Sequence, residues 1–400
     1  MQQTGEPLCL HCGCAGLRAG NKAEWGTVVK QVCKGIILCL ALMPAWCLAM
    51  SVVFINPGKK DEIFWLTAAR SMEAAASDLG IRLEVIYAER NHLNALLFAR
   101  QLAERPRGQR PDYLILSNDY GVGPEVLRLL EGTGIRTFFA YSGITDPRDR
   151  QKVQAPRKVY KNWIGVLEPN SEEAGYLTAS VLISKARAQG LFGSDHKLHM
   201  IAIAGDRSTT TSLKRNQGML RAVTEQNDVV LEQQVYGEWN RAKAREQSEW
   251  LYQRYPQVRL VWAGNDLMAF GAMESWAERG GKPGADALFS GINTSEEAMT
   301  KLRTGSLASL AGGHFIAGAY ALVMLYDYHN GRDFADEGLE LERSMFVLFS
   351  ADDAKRFQSH YGDLDFHKVD FRRFSKVLNP AVRQYQFSFR QILSPGKGRT

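Results

Sequence analysis

Two groups of residues in this sequence are of types and spacings that could do chemistry. The first is LCLHCGC at residues 8–14, where Cys9, His11, Cys12 and Cys14 fall within six positions. Thiolates and imidazoles are the ligands zinc prefers, and Cys-x-x-Cys is half of a common zinc site. The second group is spread along the chain, each member just past a short apolar run: Asn56, then Phe64 and Trp65; Asn118 and Asp119; Tyr141 and Ser142; Glu168 and Asn170; Asp206 to Thr211, then Arg215; Trp239; Asn265 and Asp266; Asn293; and the turn Gly312-Gly313-His314. Asn, Asp and Arg present paired donors and acceptors that suit vicinal hydroxyls or a carboxylate. Trp and Phe faces suit the C–H face of a sugar ring. No nucleophile has an evident base, and HExxH, GxSxG and Walker A patterns are absent. The chemistry implied is binding rather than turnover, with no cofactor.

These residues need elements to position them. SVVFIN (51–56) reads as a buried strand, and the apolar positions Trp65, Ala68, Met72, Ala75 and Leu79 that follow fall on one helix face, which Gly80 ends. Strand-like and helix-like segments then alternate at a spacing of roughly 25–30 residues, which signals stacked βαβ units and parallel sheets. A charge-rich loop is expected over 145–159, and a single strand over 343–350. About ten strands are too many for one well-formed twisted sheet, so the expected class is α/β with two doubly wound, Rossmann-like lobes joined by three crossovers. The N-terminal lobe takes 51–166 plus 312–342 and the C-terminal lobe 167–311 plus 343–361. The tail, 362–400, breaks the alternation, is rich in aromatics and arginine, and is expected to pack on the lobes. In such sheets ligands meet the carboxyl ends of strands, where the second group stands.

The first group belongs to a different part of the chain. All six cysteines lie at or before Cys47. Lys30 and Lys34 precede an apolar run, Gly35–Met43, followed by Pro44 and the small-residue exit Cys47–Ala49. That is the build of a secretory signal peptide, with cleavage near Ala49 and export to the periplasm. The competing reading is a membrane span over the uncharged stretch 35–55, against which Pro44 and the strand-like 51–55 argue. The polar segment before Lys30 is too long for a signal's charged region, so a start near Val28 or Val29 is the expectation and a zinc site is not. Losing residues 1–49 removes four basic and two acidic side chains, lowering the formal charge from +6 to +4. A cysteine-free remainder suits an oxidising compartment. Basic residues are scattered rather than striped, which speaks against nucleic acid as a partner.

On these residues the chain resembles the type I periplasmic substrate-binding proteins, the ribose/galactose-binding and autoinducer-2-binding group that shares its core with LacI. INPGKKDEIFWLTAARSMEAAASDLG (55–80) is similar to that family's opening strand, aromatic loop and helix; GVLEPNSEEAGYLTASVLI (165–183) to its crossover segment; SLKRNQGMLRAV (212–223) to the second-lobe helix that supplies an arginine; and VWAGNDLMAFGAMESW (261–276) to its FAxNDxMAxGAxxA segment. The resemblance implies that Phe64 and Trp65 stack on the ligand, Arg215 donates to its oxygens, Trp239 is the opposing platform and Asn265 bonds hydroxyls. Asn293 stands where the family commonly has Asp. Asn56, Asn118, Tyr141 and His314 complete the expected binding set. Tyr141-Ser142 replaces a common Asp-Arg pair, and Gly312, Gly313 and His314 replace a crossover Gln or Arg, so ribose and borate-diester specificities are not expected. The implied partner is an ABC permease or the periplasmic domain of a membrane sensor, with no stable membrane insertion. Blander roles stand beside these: Trp65 also lies on the apolar face of its helix, Arg215 could be an exposed helix arginine, Trp239 and His314 could pack, and Asp266 could only cap a helix. A LacI-type regulator would need an N-terminal helix-turn-helix of about 60 residues, where this chain has its apolar signal; an enzyme on the same fold would need a catalytic constellation.

Overall fold

In a computed structural model of the 400-residue chain, residues 49–393 are described. The Cys9–Cys14 cluster and the export signal read from the sequence lie outside the described residues, with Ala49 the first residue inside them. The described strands form two six-stranded sheets. The first contains β1 (Ser51–Asn56), β2 (Arg82–Tyr87), β3 (Tyr113–Leu116), β4 (Arg136–Ala140), β5 (Trp163–Pro169) and β11 (Glu340–Arg343), in the order β2-β1-β3-β4-β5-β11. The second contains β6 (Leu198–Ala204), β7 (Val229–Tyr236), β8 (Leu260–Ala263), β9 (Leu288–Ile292), β10 (Ser309–Gly312) and β12 (Val347–Leu348), in the order β7-β6-β8-β9-β10-β12. Every pairing is parallel except the antiparallel β10–β12. The two sheets are therefore two copies of one order, each with a switch point where the strand order reverses: between β1 and β3, and between β6 and β8. A crevice opens at such a point beyond the strands' carboxyl ends.

The helices are α1 (Ile63–Leu79), α2 (His92–Glu104), α3 (Gly123–Leu130), α4 (Pro147–Val153), α5 (Ser171–Ala188), α6 (Thr210–Thr224), α7 (Arg241–Arg254), α8 (Asp266–Glu278), α9 (Glu296–Arg303), α10 (Ala317–His329), α11 (Ala351–Tyr361) and the short α12 (Arg390–Leu393). Central strands such as β1, β3, β6 and β8 are buried along their whole length, because helices cover both faces; their sequences are accordingly continuous apolar runs. Helix α1 buries Trp65, Ala68, Met72, Ala75 and Leu79, the stripe its spacing predicts, and stops at Gly80 in the left-handed region (φ 64°), where a side chain is strained. Helices α5 and α6 touch backbone to backbone. A Cβ on Gly175 would lie 2.0 Å from the Arg215 carbonyl oxygen, and one on Gly218 would lie 1.9 Å from that of Glu172. Two glycines thus set how close α6, and Arg215 with it, comes to α5.

Several boundaries differ from the sequence expectation. Strand β5 stays in the first sheet through Pro169, so the chain leaves that sheet at Asn170 rather than at 166. The expected strand over 343–350 is two pieces in different sheets: β11 pairs with β5 as far as Arg343, and β12 pairs with β10 from Val347. The segment alternates over 339–342 and becomes a continuous apolar run over 345–349, and neither pattern tells which sheet a strand joins. The loop over 145–159 contains α4, whose start is capped by Asp146 accepting from Arg148 N and Asp149 N.

The chain passes between sheets at Asn170, at Gly313-His314 and at Ser344–Phe346. Beyond α11 the tail adds further ties. Phe371 N donates to Asp78 of α1 (2.8 Å). Buried Asp327 of α10 accepts from Ser375 Oγ, Lys376 N (2.7 Å), Val377 N (3.2 Å) and Tyr385 Oη (2.8 Å). The tail then returns to α11, where Tyr361 Oη donates to the Ile392 carbonyl (3.1 Å), and the Phe389 ring lies over Gly313.

Candidate binding cleft

One cleft of about 520 Å3, counting space open to solvent at its mouth, lies where the two switch points face each other. From the first sheet it is lined by Glu62, Phe64, Trp65, Arg90, Ser117, Asp119 and Tyr141; from the second by Thr209, Thr211, Arg215, Trp239, Asn265 and Asn293; and from the crossovers by Pro169 and His314.

The aromatic wall is built from local constraints. The indole of Trp65 packs edge-on to Phe64 (4.9 Å between centroids) and to Tyr141 (5.1 Å), and belongs to the core as well as to the cleft. Tyr141 carries no free polar atom: its hydroxyl donates to Phe315 O (2.9 Å) and accepts from Gly318 N (3.0 Å), and burial raises its pKa. It offers the ligand only a ring. Trp239 follows Glu238, both in the left-handed region (φ 59° and 53°), and its ring lies on Gly205, where a Cβ would come within 2.1 Å of it. Asp206 fixes that ring: Oδ2 accepts from Trp239 Nε1 (2.8 Å) while Oδ1 accepts from Ser208 N and Thr209 N. Burial alone would raise the pKa of Asp206, but these donors outweigh it and the net shift is downward.

The polar groups are arranged with their own protein partners on one side and a free atom on the other. Asn265 caps α8, its Oδ1 accepting from Met268 N (2.8 Å), so its amide N–H groups are left for the cleft. Asn293 sits at φ 133° and donates its amide to Asp266 (2.8 Å), leaving its oxygen as an acceptor. Asp266 is the first residue of α8 rather than its cap, and its carboxylate also accepts from Ser295 Oγ (2.6 Å) and Leu267 N (2.9 Å). Arg215, 3% exposed, donates Nη1 to Gly264 O (2.7 Å) and Nη2 to His314 Nε2 (2.9 Å). Burial pulls its pKa down to about 9, partly countered by Asp266, so it remains a cation at neutral pH. His314 lies between the rings of Phe64 (4.7 Å) and Phe346 (4.4 Å). Burial, then Arg215, holds its pKa well below the ordinary value, so it is neutral and can accept. In the first lobe Arg90 pairs with Glu62 through two bonds and lies 3.7 Å from Asp119. Asp119 accepts from Ser117 Oγ (2.6 Å), and burial pushes its pKa up to about 6 against the pull of Arg90 and Ser117.

Across the cleft the lobes touch. Thr211 Oγ1 meets Ser142 Oγ (3.0 Å), Thr210 Oγ1 meets Thr145 Oγ1 (2.7 Å), and Lys214 Nζ bridges Glu168 (2.9 Å) and Glu342.

Of the expected binding residues, Phe64, Trp65, Tyr141, Arg215, Trp239, Asn265, Asn293 and His314 line this cleft, and Asn56 and Asn118 do not. Asn56 bonds Gly58 N and Trp65 O; Asn118 bonds Gly123 N and Gly143 O. Both amides are used up in shaping the turn that follows a buried strand. The residue after Asn118, Asp119, takes the place in the cleft. Glu62, Arg90 and Ser117 were missed by sequence reasoning. Arg90 stands just past the end of β2, the same strand-end position that marks the other site residues, and its rotation into the cleft comes from left-handed Glu89 and Arg90 (φ 55° and 59°). Among the described residues there is no cluster of three His, Cys, Asp or Glu side chains that could hold a metal ion, and no helix long and apolar enough to cross a membrane.

Residues 52–333 match the family model described as a periplasmic binding protein domain. The chain belongs to the periplasmic binding protein family. Among solved structures, this periplasmic binding protein is similar to a periplasmic sugar-binding protein from Pseudomonas fluorescens, at 39% identity over 86% of this chain and 100% of that one, with a TM-score of 0.78. The fold alone is shared with a galactofuranose binding protein (17% identity, 79% of this chain and 100% of that one, TM-score 0.66). The same holds for an ABC transporter periplasmic solute binding protein from Actinobacillus succinogenes with bound D-allose (17% identity, 76% and 99%, TM-score 0.64). No curated protein matches the chain. The family is one of solute-binding proteins, and the type I architecture of two parallel-sheet lobes is the one described above.

Proposed function

We propose that this chain is an exported receptor that closes by hinge bending over one small polyhydroxylated ligand of the sugar class and presents it to an ABC permease. The observation that carries this reading is the polarity of the cleft. Asn265, Asn293 and Arg215 each spend part of their hydrogen-bonding capacity on the protein and keep the rest for the cleft, between the rings of Phe64, Trp65 and Trp239. Fixed polar groups with apolar ring faces on either side complement a sugar, which has hydroxyls at its rim and C–H bonds on its faces. The identity of the related Pseudomonas fluorescens protein as a periplasmic sugar-binding protein supports the same class, and the Actinobacillus succinogenes structure supports the ABC assignment. The test is calorimetric titration with a panel of aldoses, polyols and sugar acids. The expected result is one-to-one binding of at least one member, lost on Trp239→Ala. A flat response to the whole panel by folded protein would remove the sugar reading.

A further inference from the structure

Arg215 is an unusual cation for a binding cleft. It is buried, yet among the described residues no carboxylate oxygen lies within salt-bridge distance of it. Its two protein acceptors are uncharged: the Gly264 carbonyl and the neutral imidazole of His314. A guanidinium has five N–H groups, so most remain unspent, and Nε is buried with no partner at all. His314 repeats the pattern. With Nε2 accepting from Arg215, its Nδ1 carries the proton, and that N–H is also buried without a partner. Asp266 adds some distant attraction, but its own oxygens are taken by Leu267, Asn293 and Ser295.

The cleft's own carboxylates do not neutralise this cation. Glu62 and Asp119 stand in the first lobe around Arg90, which Glu62 already grips through two bonds. One end of the cleft is therefore rich in acceptors. The other has an unmatched positive charge, orphaned N–H donors and the free amide of Asn265. An unpaired buried charge is costly, and the cost is recovered when a ligand supplies the counter-charge. A planar group with two oxygens matches the guanidinium fork better than a single hydroxyl does.

Resting on the sugar-receptor reading, we infer that the ligand is a sugar acid, an aldonate or uronate, whose carboxylate meets Arg215 while its hydroxyls donate to Asp119 and Glu62. The inference is tested by calorimetric titration of the full exported chain at pH 7.5 with D-gluconate, D-glucuronate and D-galacturonate, against D-glucose, D-galactose and D-glucose 6-phosphate. At least one acid is expected to bind about tenfold or more tighter than its neutral parent. Arg215→Gln should erase that preference and Arg215→Lys should keep part of it. If Arg215→Gln does not fold, the wild-type comparison and Arg215→Lys still decide. A neutral sugar binding as tightly as its acid, or the phosphate binding while the acids do not, overturns the carboxylate and leaves the sugar receptor standing. No binding by any of the six overturns the carboxylate, and a flat response to the wider panel then removes the receptor reading as well.

Discussion

Gly175→Ala is expected to weaken both the fold and the site, although on helix propensity alone it should help. In the interior of α5 the substitution gains about 1 kcal/mol from the smaller backbone entropy loss of alanine. Against that stands the Arg215 carbonyl oxygen, 2.0 Å from where the new Cβ would be, when ordinary contact begins at 3.4 Å. Relief requires α5 and α6 to part by about 1.4 Å, since the obstructing atom is backbone and cannot rotate away. Overpacking of this kind costs about 1–3 kcal/mol, and a backbone clash belongs at the upper end. The net expectation is a loss of about 2 kcal/mol, read as a lower denaturant midpoint at unchanged slope. Because the displaced segment carries Arg215, ligand affinity should fall by about tenfold or more, the worth of one charge-assisted hydrogen bond. Gly218→Ala, facing the Glu172 carbonyl at 1.9 Å, should behave alike. Gly108→Ala is the control: it has open space around it and a negative φ, so it should be neutral or stabilising by up to about 1 kcal/mol. A Gly175→Ala protein with wild-type midpoint and wild-type affinity would refute the close-packing argument.

Three further outcomes are expected. Asp119 has its pKa raised to about 6, so ligand affinity should fall as pH drops through that value and the acceptor is lost; Asp119→Asn should flatten the profile in a titration from pH 8 to pH 5. Because folding raises this pKa from the ordinary 3.8, the same group makes the unliganded protein less stable as pH rises from about 4 to 6, the opposite sign to a salt-bridged carboxylate. Lys214→Met keeps the aliphatic stem but breaks the bridge to Glu168 and Glu342; because these groups are partly exposed, the closed form should lose only enough to speed ligand release about twofold to fivefold in stopped-flow measurements. Asp327→Ala would strand four donors of the tail, at a cost of about 3 kcal/mol or more, and should open residues 362–393 to limited proteolysis.

The fold was legible because its signals are long and repeated. About ten alternations of apolar run and amphipathic stretch leave few alternatives to a parallel α/β architecture, and Gly80 or the Asn265-Asp266 pair mark helix ends by well-understood local chemistry. What periodicity does not encode is which sheet a strand joins. The segment from Glu340 to Leu348 passes from polar-apolar alternation to an apolar run at Met345, a change that does not say which sheet either part joins; β11 and β12 lie in different sheets because the choice is made by pairing with β5 and β10, far away in sequence. The tail is a similar case: its aromatics announce burial, but their seats on α1, α10 and α11 come from tertiary contacts alone.

At the site, sequence reasoning placed most candidates just past strand ends, passed over the end of β2, and then had to guess which way each polar side chain turns. Asn118 and Asp119 show why this fails. Both follow β3, and the amide, with a donor and an acceptor, suits a turn that must satisfy Gly123 N and Gly143 O together. The carboxylate, which can only accept when ionised, is left to face the cleft with Ser117 and Arg90. Asn56 is spent in the same way on Gly58 and Trp65, whereas Asn265 and Asn293 each make one bond to the protein and keep one function free. The distinction is therefore one of stoichiometry: a buried polar side chain whose capacity is filled by its own loop is part of the scaffold, and one left with capacity to spare is available to a ligand. By that measure Arg215, with the most unspent donors, and His314, whose remaining N–H is buried without a partner, are where the ligand's chemistry is most strongly constrained.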